Sequence, residues 1–252
     1  MVPIKDLSTH PYSQILGYPN PTKKILRDRI SELKSLGVSS IQFKGHVEIY
    51  GLKILGKGCV SIVVIANTRK GEAALKIRRI DANRPNMERE VKFLTKANTV
   101  GVGPKILRYS NNFLLIDLIT GQLLPKWIKT LSGKGSSALL RKICLDILEK
   151  CRKLDKIGLD HGELSNMSKH VFVNGDVEII DFESASERTV KNITSAVQYL
   201  FIGGYYAKKI NKMLSIKNKD KIITAIQYYK KNKTQESYLN LLNELKLIKN
   251  KK

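Results

Sequence analysis

Apolar residues follow two different periods along this chain. Through residue 117 most of them fall in short runs, two alternating with polar residues, Ile41-Gln42-Phe43 and Val47-Glu48-Ile49, and others nearly continuous, Ile62 to Val64, Ala73 to Ile77, Ile106 to Tyr109 and Phe113 to Ile116. Breaks at Gly45, Gly51, Asn67 to Gly71 and Ser110-Asn111-Asn112 separate these runs, a pattern that predicts β-strands. Two stretches of this part carry helical spacing instead. Ile25, Leu26, Ile30, Leu33 and Leu36 are entered through Asn20-Pro21, as cap and first-turn proline, and stopped at Gly37. Met87, Val91, Leu94 and Ala97 mark the other. The first twenty residues show no period and read as an irregular arm. Beyond residue 118 the helical period takes over. Leu139/Leu140, Ile143/Cys144, Ile147/Leu148, Cys151 and Leu154 predict a long core-facing helix over 136–157, ended by Gly158. Shorter helical patterns follow at 189–202, at Ile222/Ile223/Ile226 and at Leu239/Leu242/Leu245 with Ile248.

One hairpin interrupts the helical part. Val171 to Val173 and Val177 to Ile180 flank the turn Asn174-Gly175-Asp176, a strong local hairpin signal. Glu163 lies just before this hairpin and Asp181 just after it. Because a hairpin returns the chain to its starting point, the two carboxylates should converge. Two converging carboxylates suit the holding of a metal ion and the orienting of a nucleophile for phosphoryl transfer.

Polar residues of a second kind lie among the strands. Gly56 and Gly58, between two strand-like runs, allow backbone amides to face phosphates. Lys76 sits inside an apolar strand, where a lysine is costly unless it is paired or bound to an anion. On the helix that follows, Glu88 and Glu90 both lie near the apolar face, and either can reach such a lysine.

In this order the segments resemble the protein-kinase-like superfamily, and within it the small atypical kinases: the RIO family, the kinase of the KEOPS complex and similar archaeal Ser/Thr kinases. The similarity runs over residues 38–203, and Glu163 and Asp181 keep the interval of the catalytic loop and the metal-binding turn. The resemblance implies an α+β, bilobal fold. A β-rich N-lobe would span 38–117 and an α-helical C-lobe 118–252, with an N-terminal arm and extra helix over 1–37 and a basic helical tail over 208–252. It implies ATP with Mg2+ or Mn2+ as cofactors. Gly56, Lys57, Gly58, Ser61 and Val63 would form the glycine-rich loop, Ala74 would face adenine and Lys76 would hold the α- and β-phosphates. Glu90 would pair with Lys76, with Glu88 the alternative. Asp117 and Leu118 would form the hinge beside Leu115 at the gatekeeper position. Glu163 would be the catalytic acid, and Asp181 and Ser168 the metal ligands.

Several positions depart from that pattern. Glu163 is one methylene longer than the usual aspartate, and Ser168 stands where an asparagine ligates the metal, with Asn166 and His170 as nearby substitutes. His170 alternatively lies beneath the adenine. Ser61 replaces the third glycine of the loop, and Glu183 replaces the glycine after Asp181-Phe182. Gly162 replaces the arginine that reads a phosphorylated loop, and no Ala-Pro-Glu segment follows. His161 has a structural role in this reading, bonding backbone near Asp181. Three functions follow: an atypical serine/threonine protein kinase with an unassigned protein substrate, a nucleotide-binding pseudokinase or ATPase switch in a protein/RNA complex, or a basic RNA- or ribosome-associated binding module that keeps the fold.

Composition adds a charge signal. The 252 residues carry 45 Lys and Arg against 22 acids, a formal net charge of +23, which favours an anionic partner such as RNA, the ribosome or an acidic protein. Solubility alone is the competing explanation. Residues 208–252 concentrate it, with 13 Lys against 3 acids. No apolar run is long enough for a membrane span, no signal core opens the chain, and three cysteines form no even set, so a cytoplasmic protein without membrane contact is expected.

Overall fold

In the computed structural model, which describes residues 1–248, most of the short apolar runs of the first part form one antiparallel sheet. Its strands are β1 (Val2–Pro3), β2 (Val38–Gln42), β5 (Gly56–Lys57), β6 (Ser61–Thr68), β7 (Gly71–Arg78), β8 (Ile106–Tyr109) and β9 (Phe113–Asp117). A separate pair, β3 (Val47–Ile49) and β4 (Leu52–Ile54), lies between them in sequence. The order is β1-β2-β6-β7-β9-β8, with β5 also paired to β6. Alternation then sorts side chains by face. Ile62, Val64, Leu75, Ile77, Phe113 and Leu115 point to one side and bury with Leu7, Leu16, Leu26 and Leu33 in a single apolar cluster. The arm and its helices α1 (Tyr12–Leu16) and α2 (Lys23–Ser35) therefore cover that face. Val63, Ala74 and Lys76 belong to the other face. Together with α3 (Glu88–Asn98) these elements form one compact unit, residues Met1–Asn98 and Pro104–Ile119.

Helix α2 starts later than its sequence signal suggests. Thr22, not Asn20, is the cap, its side-chain oxygen accepting from the Ile25 amide at 3.3 Å. Gly37 ends the helix with φ +74°, a conformation glycine adopts without strain. Arg29 lies in the middle of the buried stripe Leu26–Leu33. Its guanidinium is buried and donates to the carbonyls of Leu16 and, at 2.6 Å, Arg78, while burial lowers its pKa to about 10. Glu32, one turn on, accepts the Asn112 amide at 3.1 Å and the Ser110 hydroxyl at 2.6 Å. The helix thus docks by polar bonds to the ends of α1 and β7 and to the turn at Ser110–Asn112, as well as by its apolar stripe.

The second unit comprises Thr99–Gly103 and the chain from Thr120 onward. β10 (Gln122–Leu123), β11 (Val171–Asn174) and β12 (Asp176–Ile179) form a small antiparallel sheet, turning at Gly175 with φ +74°. Helices α4 (Leu124–Thr130), α5 (Ser136–Lys156), α6 (Asn192–Val197), α7 (Ala207–Met213), α8 (Lys219–Asn232) and α9 (Gln235–Glu244) complete it. The α5 stripe buries Leu140, Ile143, Cys144, Ile147, Leu148, Cys151 and Leu154, whereas Leu139 is exposed. In α8 and α9 the buried faces are Ile222, Ala225 and Tyr229, and Tyr238, Leu241 and Leu242. Ile223 and Leu239, expected on those faces, point outward, because the tyrosines complete the apolar stripes instead. The last four residues of the basic tail lie outside the described residues. Among the described residues, no helix is long and apolar enough to cross a membrane.

Candidate functional site

The first cluster is built on the strands of unit one. The register sets Val63 opposite both Gly56 and Lys76, so glycine loop, valine and lysine form one row across β5, β6 and β7. Lys76 is buried, and its ammonium forms an ion pair with the carboxylate of Glu90, also buried, on α3. Glu88 is exposed. Ala74 occupies the same face two residues before Lys76, and its lack of bulk leaves the sheet surface flat there. The loop closes on itself, the Gly58 amide donating to the Ser61 carbonyl at 2.8 Å. Its tip is tethered, because Arg79 donates to the Gly58 carbonyl at 2.9 Å and Lys57 to the Tyr18 hydroxyl at 2.6 Å. Gly56 has no positive φ and an added Cβ would meet no atom within 4 Å, so packing does not require a glycine there. Asp117 ends β9 with its amide on the Lys105 carbonyl at 3.0 Å, and Leu118 follows half-buried, just before the unit ends at Ile119.

The second cluster gathers at the open end of the β11–β12 hairpin in unit two. The Ile180 amide donates to the His170 carbonyl at 2.9 Å, which brings the residue before β11 alongside the residues after β12. Glu163 accepts from the Ser184 hydroxyl on Oε1, and its Oε2 lies 2.8 Å from His170 Nε2. The other ring nitrogen, Nδ1, faces Asp181 Oδ2 at 3.8 Å. One imidazole thus stands between the two carboxylates. Asp181 holds φ +73°, a left-handed conformation that aspartate tolerates better than most residues and that recurs where geometry is imposed for function. A Glu183 oxygen lies within 4.8 Å of an Asp181 oxygen. Ser168 does not join this group through its hydroxyl, which donates to Asn166 Oδ1 at 2.7 Å within its own loop.

A buried frame fixes the cluster from behind. Gly162 has φ +88°, and a Cβ there would stand 2.5 Å from the Ser184 carbonyl, so only glycine allows the two loops to approach. His161 is fully buried with Nε2 3.0 Å from the Ile180 carbonyl, and its ring packs edge-on to Phe182 at 4.9 Å. Burial holds its pKa down to about 4, leaving the ring neutral. Asn192 accepts the His161 amide at 2.9 Å and donates to the Leu159 carbonyl at 2.7 Å and to Asp155 at 2.8 Å. The sequence pattern does not single out Asp155 and Asn192, because both lie outside the hairpin segment and meet only through the fold. The one local signal is a polar residue on the apolar side of each helix.

Fold and site together define a mixed α+β protein with a buried lysine–glutamate pair in one unit and a histidine-bridged pair of carboxylates in the other. No family model matches the sequence. Over 90 residues the chain is 37% identical to the uncharacterized protein MJ1211 of Methanocaldococcus jannaschii, covering 35% of this chain and 78% of that protein. The chain belongs to the family of that archaeal protein.

Proposed function

We propose that the chain is an ATP-dependent atypical kinase that transfers a phosphoryl group to a hydroxyl acceptor, the bilobal kinase-like fold being the architecture of its two units. The observation that carries this reading is the buried ion pair of Lys76 and Glu90. Withdrawing both charges from water costs several kcal/mol each before their attraction is counted, on the order of what a small domain has to spare. A buried lysine held by a carboxylate, in the same row across the sheet as a glycine that packing does not require, suits the binding of phosphate oxygens.

Unit two carries its own groups for this chemistry. Glu163, held on both oxygens, would orient an acceptor hydroxyl and take its proton. The carboxylate of Asp181, half-buried beside an imidazole nitrogen, fits a divalent cation, which when bound would neutralise charge on the transferring phosphates. The test is thermal melting with ATP and Mg2+ or Mn2+. Binding to the folded state alone raises the melting temperature by mass action, and a wild-type chain that shows no shift at millimolar ATP is not a kinase.

A further inference from the structure

We propose that a polar groove in unit two binds an acidic segment of a protein acceptor, with Lys230 as the residue that selects it. The groove has a volume of about 380 Å3 and lies between α6 and α8, with Ser165 of the Leu164–Lys169 turn on one side. Thr194, Ser195 and Gln198 line it from the α6 side, and Gln227 and Lys230 from α8. Among the described residues that line it there is no carboxylate and no aromatic ring. The Thr194 hydroxyl donates to the Lys191 carbonyl at 2.9 Å, whereas the side chains of Ser165, Ser195, Gln198, Gln227 and Lys230 bond no other group among the described residues. Hydroxyls, amides and an ammonium therefore face a ligand, a set that can both donate to and accept from a peptide backbone.

Charge decides the class of ligand. Asp155 accepts the Tyr229 hydroxyl at 3.4 Å and the Asn192 amide at 3.0 Å, which holds the last turn of α8 at the start of α6. Lys191, just before α6, and Lys230, Lys231 and Lys233, at the end of α8, are all exposed. The single acid of α8, Asp220, lies in its first turn, at the other end. An acidic side chain entering the groove thus meets ammonium groups, and no carboxylate lines its path. Single-stranded RNA suits the groove less, because bases bind on aromatic platforms and the groove has none. The position suits an acceptor. Glu163 caps the Leu164–Lys169 turn and its carbonyl accepts the Asn166 amide at 3.0 Å, so Ser165 ties the groove to the residue that would orient a hydroxyl. In this last respect the inference rests on the proposed function; binding of the acidic segment needs no ATP.

The probe is a fluorescent peptide of alternating Glu and Ser, titrated with the full chain in the absence of ATP and followed by fluorescence anisotropy. Wild type should bind it saturably, Lys230→Glu roughly 10-fold more weakly, and Gln227→Trp, which fills the groove, at least as weakly as Lys230→Glu. Lys221→Glu makes the same charge change on α8 at a residue outside the groove and should bind like wild type. All three substituted residues are exposed, and melting curves check that each variant is folded. No saturable binding by wild type overturns the inference, and so does an equal loss in Lys221→Glu, which would mean a diffuse effect of charge. Tighter binding of a uridine oligonucleotide that is lost in Lys230→Glu also overturns it and makes RNA the occupant. Groove-dependent peptide binding with no melting shift by ATP keeps the groove and overturns the kinase reading; a shift by ATP without groove-dependent peptide binding does the reverse.

Discussion

His170 Nε2 lies 2.8 Å from Glu163 Oε2, while the other oxygen of that carboxylate accepts from Ser184. The side chain therefore spans two partners, Ser184 and His170, on either side of the hairpin. Shortening it should break at least one of these bonds. Glu163→Asp is expected to lower phosphoryl transfer ~100-fold, the usual cost of a misplaced catalytic group. Glu163→Gln should lower it at least as far by removing the base, with ATP binding nearly intact. Single-turnover transfer by wild type and both variants on one acceptor, with melting shifts by ATP measured alongside, checks this. Equal rates would assign any phosphorylation to a contaminant.

Removing one half of the buried pair in unit one should be costly. Lys76→Met leaves the Glu90 carboxylate buried without its ammonium, for an expected loss of about 3–5 kcal/mol. Lys76→Met combined with Glu90→Leu should recover most of that loss while still abolishing ATP binding. Urea unfolding of the two single variants and the double variant gives the coupling.

Gly56 separates ligand from fold. An alanine there meets no neighbour and needs no unusual φ, so Gly56→Ala should change stability by less than about 0.5 kcal/mol. It should nevertheless weaken ATP binding, because a methyl group would project where loop amides approach phosphates. Gly162→Ala is the contrast, since its Cβ would collide with the Ser184 carbonyl. Calorimetric ATP titration and melting curves of both variants distinguish the cases.

Asp155 should give the fold a pH dependence. Burial raises its pKa, and hydrogen bonds from Asn192 and Ile193 oppose the rise only in part. The native state thus binds this proton more tightly than the unfolded chain, whose aspartate titrates near ~3.9. The stability it contributes is present at low pH and is lost as pH rises through the folded value. Comparing urea midpoints of wild type and Asp155→Asn from pH 4 upward should show a steeper downward slope in the wild type, since Glu178 and Asp146, also raised by burial, remain in both.

Much of this protein is legible locally. The hairpin at Asn174-Gly175-Asp176, the stripe of α5 and the stop at Gly37 depend on residues a few positions apart, where periodicity and turn chemistry act directly. The convergence of Glu163 and Asp181 on the hairpin mouth follows from the same local geometry. Other features needed the tertiary structure. Glu88 and Glu90 are both compatible with pairing to Lys76, and only the rotation of α3 against the sheet buries one and exposes the other. Arg29 falls at helical spacing within the stripe Leu26–Leu33, and only the fold shows how a cation is buried there, because two distant carbonyls, of Leu16 and Arg78, receive it. His170 likewise meets Glu163 and Asp181 through the closing of a loop over the hairpin end. Local pattern depends on short-range sterics and burial along one element. The partner of a buried charge depends on where the rest of the chain arrives.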